Sequence, residues 1–167
     1  MYQAGEQVVY GMYGVCRVVQ EEKRIVDRKP VTYLVLETVG RSGSRFYVPT
    51  HNAAAMGKIR PMLSAQELED LLSCEETLAD GWIPVEGQRK QVYREILGSG
   101  DRVKVAQILR ALYRHKAERI ASGKKMHMCD DNFLRDAEKI LVSEAAIVRG
   151  CDLDTAKQYI RNKLKNE

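Results

Sequence analysis

One tryptophan and a run of cations are the residues of this sequence best suited to chemistry. Trp82 is the only tryptophan in 167 residues. It lies in Asp80-Gly81-Trp82-Ile83-Pro84, where Gly and Pro break any helix, and it belongs to no apolar stripe. An indole in such a place has two uses. It can close a small core, the commoner fate of a lone tryptophan, or it can offer a flat face that stacks on or wedges against a nucleobase. The cations are Arg89, Lys90, Arg94, Arg102, Lys104, Arg110, Arg114, Lys116, Arg119, Lys124 and Lys125, eleven against three carboxylates over residues 88–125. Lys90 with Arg94, and Arg110 with Arg114, stand four apart and so share a helix face. Such rows suit phosphate oxygens, contacts that position a protein on a polyanion without reading its sequence. A solvated helix face is the bland alternative.

The net charge of +4 hides a strong segregation: +4 over residues 1–63, −7 over 64–87, +8 over 88–125 and −1 over 126–167. That pattern suggests a polyanion-binding surface in the third block, with a solvated helix face as the equal alternative. Other chemistry is missing. No GxxxxGK[ST] occurs, nor any GxGxxG after a strand, so there is no phosphate cradle. Ser122-Gly123-Lys124-Lys125 fits S-x-x-K without its companion boxes. His115, His127, Cys129 and Cys151 lack zinc-site spacing and read as surface histidines and half-buried thiols. Carboxylates of residues 64–87 alternate with leucines, a pattern of capping and solubility. Neither an enzyme, a metal nor a cofactor is expected. Four cysteines without a CxxC read as free thiols of a reducing compartment. No apolar run approaches the ~20 residues of a membrane span, and no basic leader opens the chain, so a cytoplasmic protein without membrane contact is expected.

Two kinds of element must position these residues. Residues 1–63 read as four or five short strands: Gln7–Tyr10, a turn at 11–14, Val15 to Ile25, a turn over 27–30 ended by Pro30, then Val31–Glu37. A turn over 41–44 and a last strand, Arg45 to Val48, follow. Basic residues over 23–29 and 41–47 mark an edge, either protected or open to a partner's strand. From Ser64 the period becomes helical. Ser64-Ala65-Gln66-Glu67 is a capping box. Four more helices follow: about 88–97; one capped by Asp101, with Val103, Ala106, Leu109, Leu112, Tyr113 and Ile120 buried; about 131–148, ended by Gly150; and one opened by Asp152 or Asp154. The expected fold is α+β: a small, strongly bent sheet or barrel over 1–63, then a compact all-helical domain of about five helices over 64–167.

The sequence resembles the CarD/CdnL family of bacterial RNA-polymerase-binding transcription regulators. The opening Gly5-Glu6-Gln7-Val8-Val9-Tyr10, with Tyr13-Gly14-Val15, carries the likeness. So do Tyr33-Leu34-Val35-Leu36, Tyr47-Val48-Pro49, Trp82-Ile83, Arg89, Gly100-Asp101, Gly123-Lys124-Lys125 and the Ala137–Leu141 run. The resemblance implies a Tudor-like first domain that docks on the polymerase β subunit by strand addition, with Arg24, Arg45, Tyr47 and Pro49 at the contact. Relatives often carry Arg at position 47, and Arg45 on the same strand face is the substitute. It implies a helical domain on promoter DNA at the upstream edge of the melted region. There Trp82 wedges into the minor groove, without sequence specificity, and slows bubble closure. Taken with the basic block, this gives Arg89, Lys90, Arg94, Lys104, Arg110, Arg114, Lys124 and Lys125 as the expected DNA-binding residues, in a nucleoid-associated monomer. The rival is a stand-alone Tudor-like reader or RNA-binding protein without polymerase, its aromatic cage drawn from Tyr2, Tyr10, Tyr13, Tyr33 and Tyr47.

Overall fold

The computed structural model describes residues 1–40 and 43–165. The chain forms two compact units, Met1–Met62 and Leu63–Glu167, in an α+β architecture with a Tudor-like sheet unit first.

Among the described residues, five strands make one antiparallel sheet in the order β4-β3-β2-β1-β5: β1 Gln7–Tyr10, β2 Val15–Val26, β3 Lys29–Thr38, β4 Arg45–Pro49 and β5 Ile59–Pro61. A one-turn helix, α1 (Ala53–Met56), leads into β5 and is capped by the Asn52 side chain, which accepts from the Ala55 amide. Alternate residues of the strands supply the core, with Val8, Cys16, Val18, Leu34, Leu36, Val48 and Ile59 buried together. β2 carries an irregularity: Val18 faces Leu36 but Gln20 faces Val35, so Val19 is an extra, bulged residue.

The β2–β3 hairpin is longer than the sequence pattern predicts. Its turn is confined to Asp27 and Arg28, both at positive φ (50° and 64°), and Pro30 belongs to β3 rather than to the turn. β4 pairs only with Tyr33–Glu37, so the flank of β3 beside Pro30 is open and the missing N–H breaks no ladder bond. The turn expected over 41–44 includes Arg41 and Ser42, which lie outside the described residues.

The second unit contains α2 Ala65–Ser73, α3 Glu75–Leu78, α4 Glu86–Ser99, α5 Arg102–Ala121, α6 Met128–Arg149 and α7 Leu153–Lys165. The ends are chemically written. Ser64 and Glu67 form the reciprocal capping box, Asp101 accepts from the Lys104 amide, and Asp152 accepts from the Thr155 amide. Gly150 closes α6 in the left-handed conformation, φ 63°, which costs glycine little. Phe133, Leu134, Ala137, Ile140 and Leu141 of α6 pack with Ala156, Ile160 and Leu164 of α7 and with Ala106, Leu109 and Leu112 of α5. Expectation fails at Ile120, which is 63% exposed on the last turn of α5, where the helix runs out beyond the core.

Candidate functional site

Trp82 sits in the segment between α3 and α4, residues 79–85, which is neither helix nor strand. Its backbone N–H donates to Asp80 Oδ1 at 3.0 Å. The indole is half-buried against the helical core. The ring of His115, from α5, stacks on it with centroids 3.8 Å apart and planes 20° from parallel. The Arg89 guanidinium carbon lies 4.4 Å from the indole centroid. The tryptophan is therefore neither a sealed core anchor nor a free ring. It is a half-exposed plate held by an imidazole and a cation. Asp80, Trp82, Ala111, Arg114, His115 and Glu118 line a cavity of about 160 Å³ beside it.

Arg89 departs from its expected role as a phosphate contact. It is 4% exposed, and its Nε and Nη2 donate to the two carboxylate oxygens of fully buried Asp130 at 2.9 and 3.0 Å. Its Nη1 donates to the carbonyls of Ile83 and Pro84 at 2.9 and 3.3 Å. Such a bidentate pair leaves no charge for a distant anion. Arg110 departs likewise: it is buried, and its Nη1 donates to the Leu78 carbonyl at 3.0 Å. Arg110 and Arg114 do not share a solvent face, because helices pack against α5 on the Arg110 side. Arg94, Lys104, Arg114, Lys124 and Lys125 are exposed, and Lys90 is half-exposed with Nζ 3.1 Å from Glu86. Lys124 and Lys125 line a second cavity with Lys116, Ile120, Met126 and Asp131, about 280 Å³.

Burial disfavours the His115 imidazolium most. Arg89 and Arg119 add repulsion, while Asp130 and Glu118 act the other way, and the net shift is downward. Burial pushes the Tyr93 hydroxyl up to about 12, so it stays a donor at any physiological pH. That hydroxyl donates to the Gly81 carbonyl at 2.7 Å.

In the sheet unit, Arg24 and Tyr47 come together, the guanidinium carbon 4.0 Å from the ring centroid, and Tyr33 meets Tyr47 edge-on at 6.5 Å. Arg24 also bonds Glu22 at 2.6 Å. Arg45 pairs instead with Glu37 across the strands at 3.2 Å. Pro49 closes β4 opposite Tyr33. Arg45, Tyr47 and Pro49 stand in β4, which forms an edge of the sheet, and Arg24 reaches Tyr47 from β2, on the far side of β3.

His115, Tyr93, Asp130 and Gly81 are parts of this site that sequence reasoning missed. Arg89, Tyr93 and Leu97 do stand at i, i+4 and i+8 on α4, all buried. That spacing was a usable signal, disguised because its first member is charged.

The profile of the CarD-like/TRCF RID domain matches residues 2–62, and that of the CarD C-terminal domain matches residues 83–161, beginning one residue after Trp82. YdeB of Bacillus subtilis (strain 168), named as a candidate transcription factor, is 24% identical over 161 residues, covering 95% of this chain and 99% of that relative. Among the described residues, no group of three His, Cys, Asp or Glu side chains could hold a metal ion, and no helix is long and apolar enough to cross a membrane.

Proposed function

Because the chain belongs to the CarD-like family of transcription regulators that interact with RNA polymerase, we propose that it stabilises open promoter complexes by gripping polymerase with one unit and DNA with the other. The sheet unit docks on the β subunit by adding a strand along β4, with Arg24, Arg45, Tyr47 and Pro49 at the contact. The helical unit lies on promoter DNA at the upstream edge of the bubble. Arg94, Lys104, Arg114, Lys124, Lys125 and Lys90 meet phosphates, and Trp82 enters the minor groove. Arg89 and Arg110 support from inside the strap that carries Trp82, residues 79–85 with their junction to α3, and are not phosphate contacts in this reading.

One observation carries the reading: the single tryptophan is half-exposed outside any helix, its indole stacked on His115. A ring so mounted can meet an unstacked base step with little reordering. Unstacking costs a few kcal/mol in intact duplex and less at a bubble edge, so the wedge acts where melting has begun.

Trp82→Ala tests it. The variant should fold and retain polymerase, since the indole is only half-buried and its loss falls short of the about 3–5 kcal/mol of a fully buried tryptophan. Its open complexes should decay faster, by roughly tenfold for each ~1.4 kcal/mol of stacking lost. Trp82→Phe should recover part of the lifetime. A folded Trp82→Ala protein with unaltered decay removes the wedge.

The stand-alone reader fits less well. A methyl-lysine cage needs rings around a void. Here Tyr10, Tyr13 and Phe46 close on one another, with centroids 4.4 to 5.4 Å apart, and Tyr2 donates its hydroxyl to the Ile59 carbonyl. Retention by purified polymerase β subunit separates the two readings.

A further inference from the structure

Resting on the wedge reading, we propose that Tyr93, Arg89 and Arg110 are positioning residues for Trp82: they grip the carbonyls of the strap on which it rides and thereby fix where the indole stands.

The strap must solve a problem that helices and strands do not have. Its carbonyls have no ladder to join, and polar groups against a core need partners. Three buried side chains provide them in sequence. Arg110 of α5 donates to the carbonyl of Leu78, the last residue of α3, from which the strap departs; Tyr93 of α4 donates to that of Gly81, and Arg89 of α4 to those of Ile83 and Pro84. The gripped carbonyls stand on both sides of Trp82, one of them on the residue immediately before it and one on the residue immediately after. Asp130 of α6 holds Arg89 from behind by two bonds, so α6 fixes the hand that fixes the strap.

Backbone packing sets the depth. A Cβ added at Gly81 would stand 2.9 Å from Gln107 Cγ and 3.0 Å from the Gln107 carbonyl oxygen on α5. The strap thus lies against α5 as closely as a chain can, and His115, two turns further along α5, receives the indole. The clamp and the platform belong to the same helices, so the ring is presented rather than swung into place. Pre-organisation of this kind lowers the ordering cost of binding and lengthens the bound state.

The lone tryptophan makes the placement measurable, because red-edge excitation reports on Trp82 alone. Tyr93→Phe deletes the hydroxyl bonded to Gly81 and keeps the ring that fills the core. Gly81→Ala disturbs the strap from outside the core, and serves if Tyr93→Phe does not fold. Ile160→Val, a change in α7, is the control for lost stability alone. Acrylamide quenching of the free full-length protein reads the indole's placement, and open-complex decay with purified polymerase reads its consequence.

Tyr93→Phe and Gly81→Ala should each make Trp82 more accessible to quencher, and Ile160→Val should not, whatever its effect on Tm. Tyr93→Phe should also shorten open-complex lifetime by roughly threefold to tenfold, the factor that one net hydrogen bond is worth. Unchanged quenching in both strap variants overturns the proposal. So does raised quenching with unchanged decay where Trp82→Ala itself decays faster, since placement would then not matter. If Trp82→Ala leaves decay unaltered, the wedge reading has failed, and quenching alone decides whether the clamp sets the indole.

Discussion

At the scale of single residues, the stacking of His115 on Trp82 couples a proton to a fluorophore. The folded environment lowers the affinity of His115 for its proton, so below the ordinary value of about 6.5 the unfolded chain binds more protons than the native one. The native state therefore loses stability as pH falls through that value, and the loss stops growing below the depressed native pKa. His115→Gln should flatten the fall of Tm in that window. Emission of Trp82 should drop in acid at a lower pH than free histidine titrates, since an imidazolium against the indole quenches it. Buried Asp130 makes a second prediction. Asp130→Ala strands the Arg89 guanidinium without its partner and should cost about 3–5 kcal/mol in denaturant unfolding, far more than any surface carboxylate. Neither the stacking of His115 nor the burial of Arg89 was legible beforehand. His115 read as a surface histidine because its ring partner lies on an irregular segment 33 positions away, with no period to announce the meeting. Arg89 read as a phosphate contact because charge suggests solvent until a buried carboxylate 41 residues on is known.

At the scale of elements, what was legible was what is local. Ser64 and Glu67, Asp101 and Gly150 mark helix ends by chemistry confined to one turn, and the structure uses them as the sequence implies. The apolar stripes of α6 and α7 were equally plain, because one face of each helix meets the core throughout. The one-turn helices α1 and α3 went unread, being too short to show a period. The hairpin turn was misjudged because Arg28 offers no sign that it will adopt φ 64°. Left-handed backbone costs a non-glycine residue about 1–2 kcal/mol, partly offset by the freedom that glycine would have when unfolded. Arg28→Gly should accordingly raise the stability of the sheet unit by about 0.5–1 kcal/mol, seen in chemical denaturation of the full chain.

At the scale of the whole molecule, each unit has its own core, and the charges divide between them unevenly. The fold class was legible because the apolar period changes once, from two to 3.6, and stays changed. The cations of residues 88–125 were less legible as a surface, since Arg89 and Arg110, two of the eight expected on DNA, turn inward to hold a strap, and Arg102 turns inward to pair with buried Glu144. Six remain in the proposed DNA contact: Lys90, Arg94, Lys104, Arg114, Lys124 and Lys125. Binding of duplex DNA by the isolated protein should be weak, about 10⁻⁴–10⁻⁶ M, and the slope of log K against log salt should reach roughly −5 if all six release counterions. Lys124→Gln should lower that slope by about 1, whereas an Arg110 substitution should leave it unmoved. Arg24→Glu or Arg45→Glu should weaken retention of polymerase β without touching the DNA slope.

The bulge at Val19 divides β2 into a part that belongs to the core and a part that does not, while β3 stays buried as far as Leu34. Below it, Cys16 and Val18 are sealed against Leu36; beyond it, from Gln20 to the turn, β2 is mostly open to solvent, and Ile25 is 81% exposed. The side-chain alternation restarts at the extra residue, so the outer half keeps its own register. Residues can be gained or lost in cross-strand pairs near Asp27 and Arg28 while every pairing below the bulge stays as it was. Beyond Arg24, whose guanidinium lies over Tyr47, the hairpin tip is thus a segment that can be lengthened without disturbing the register of the sheet beneath it.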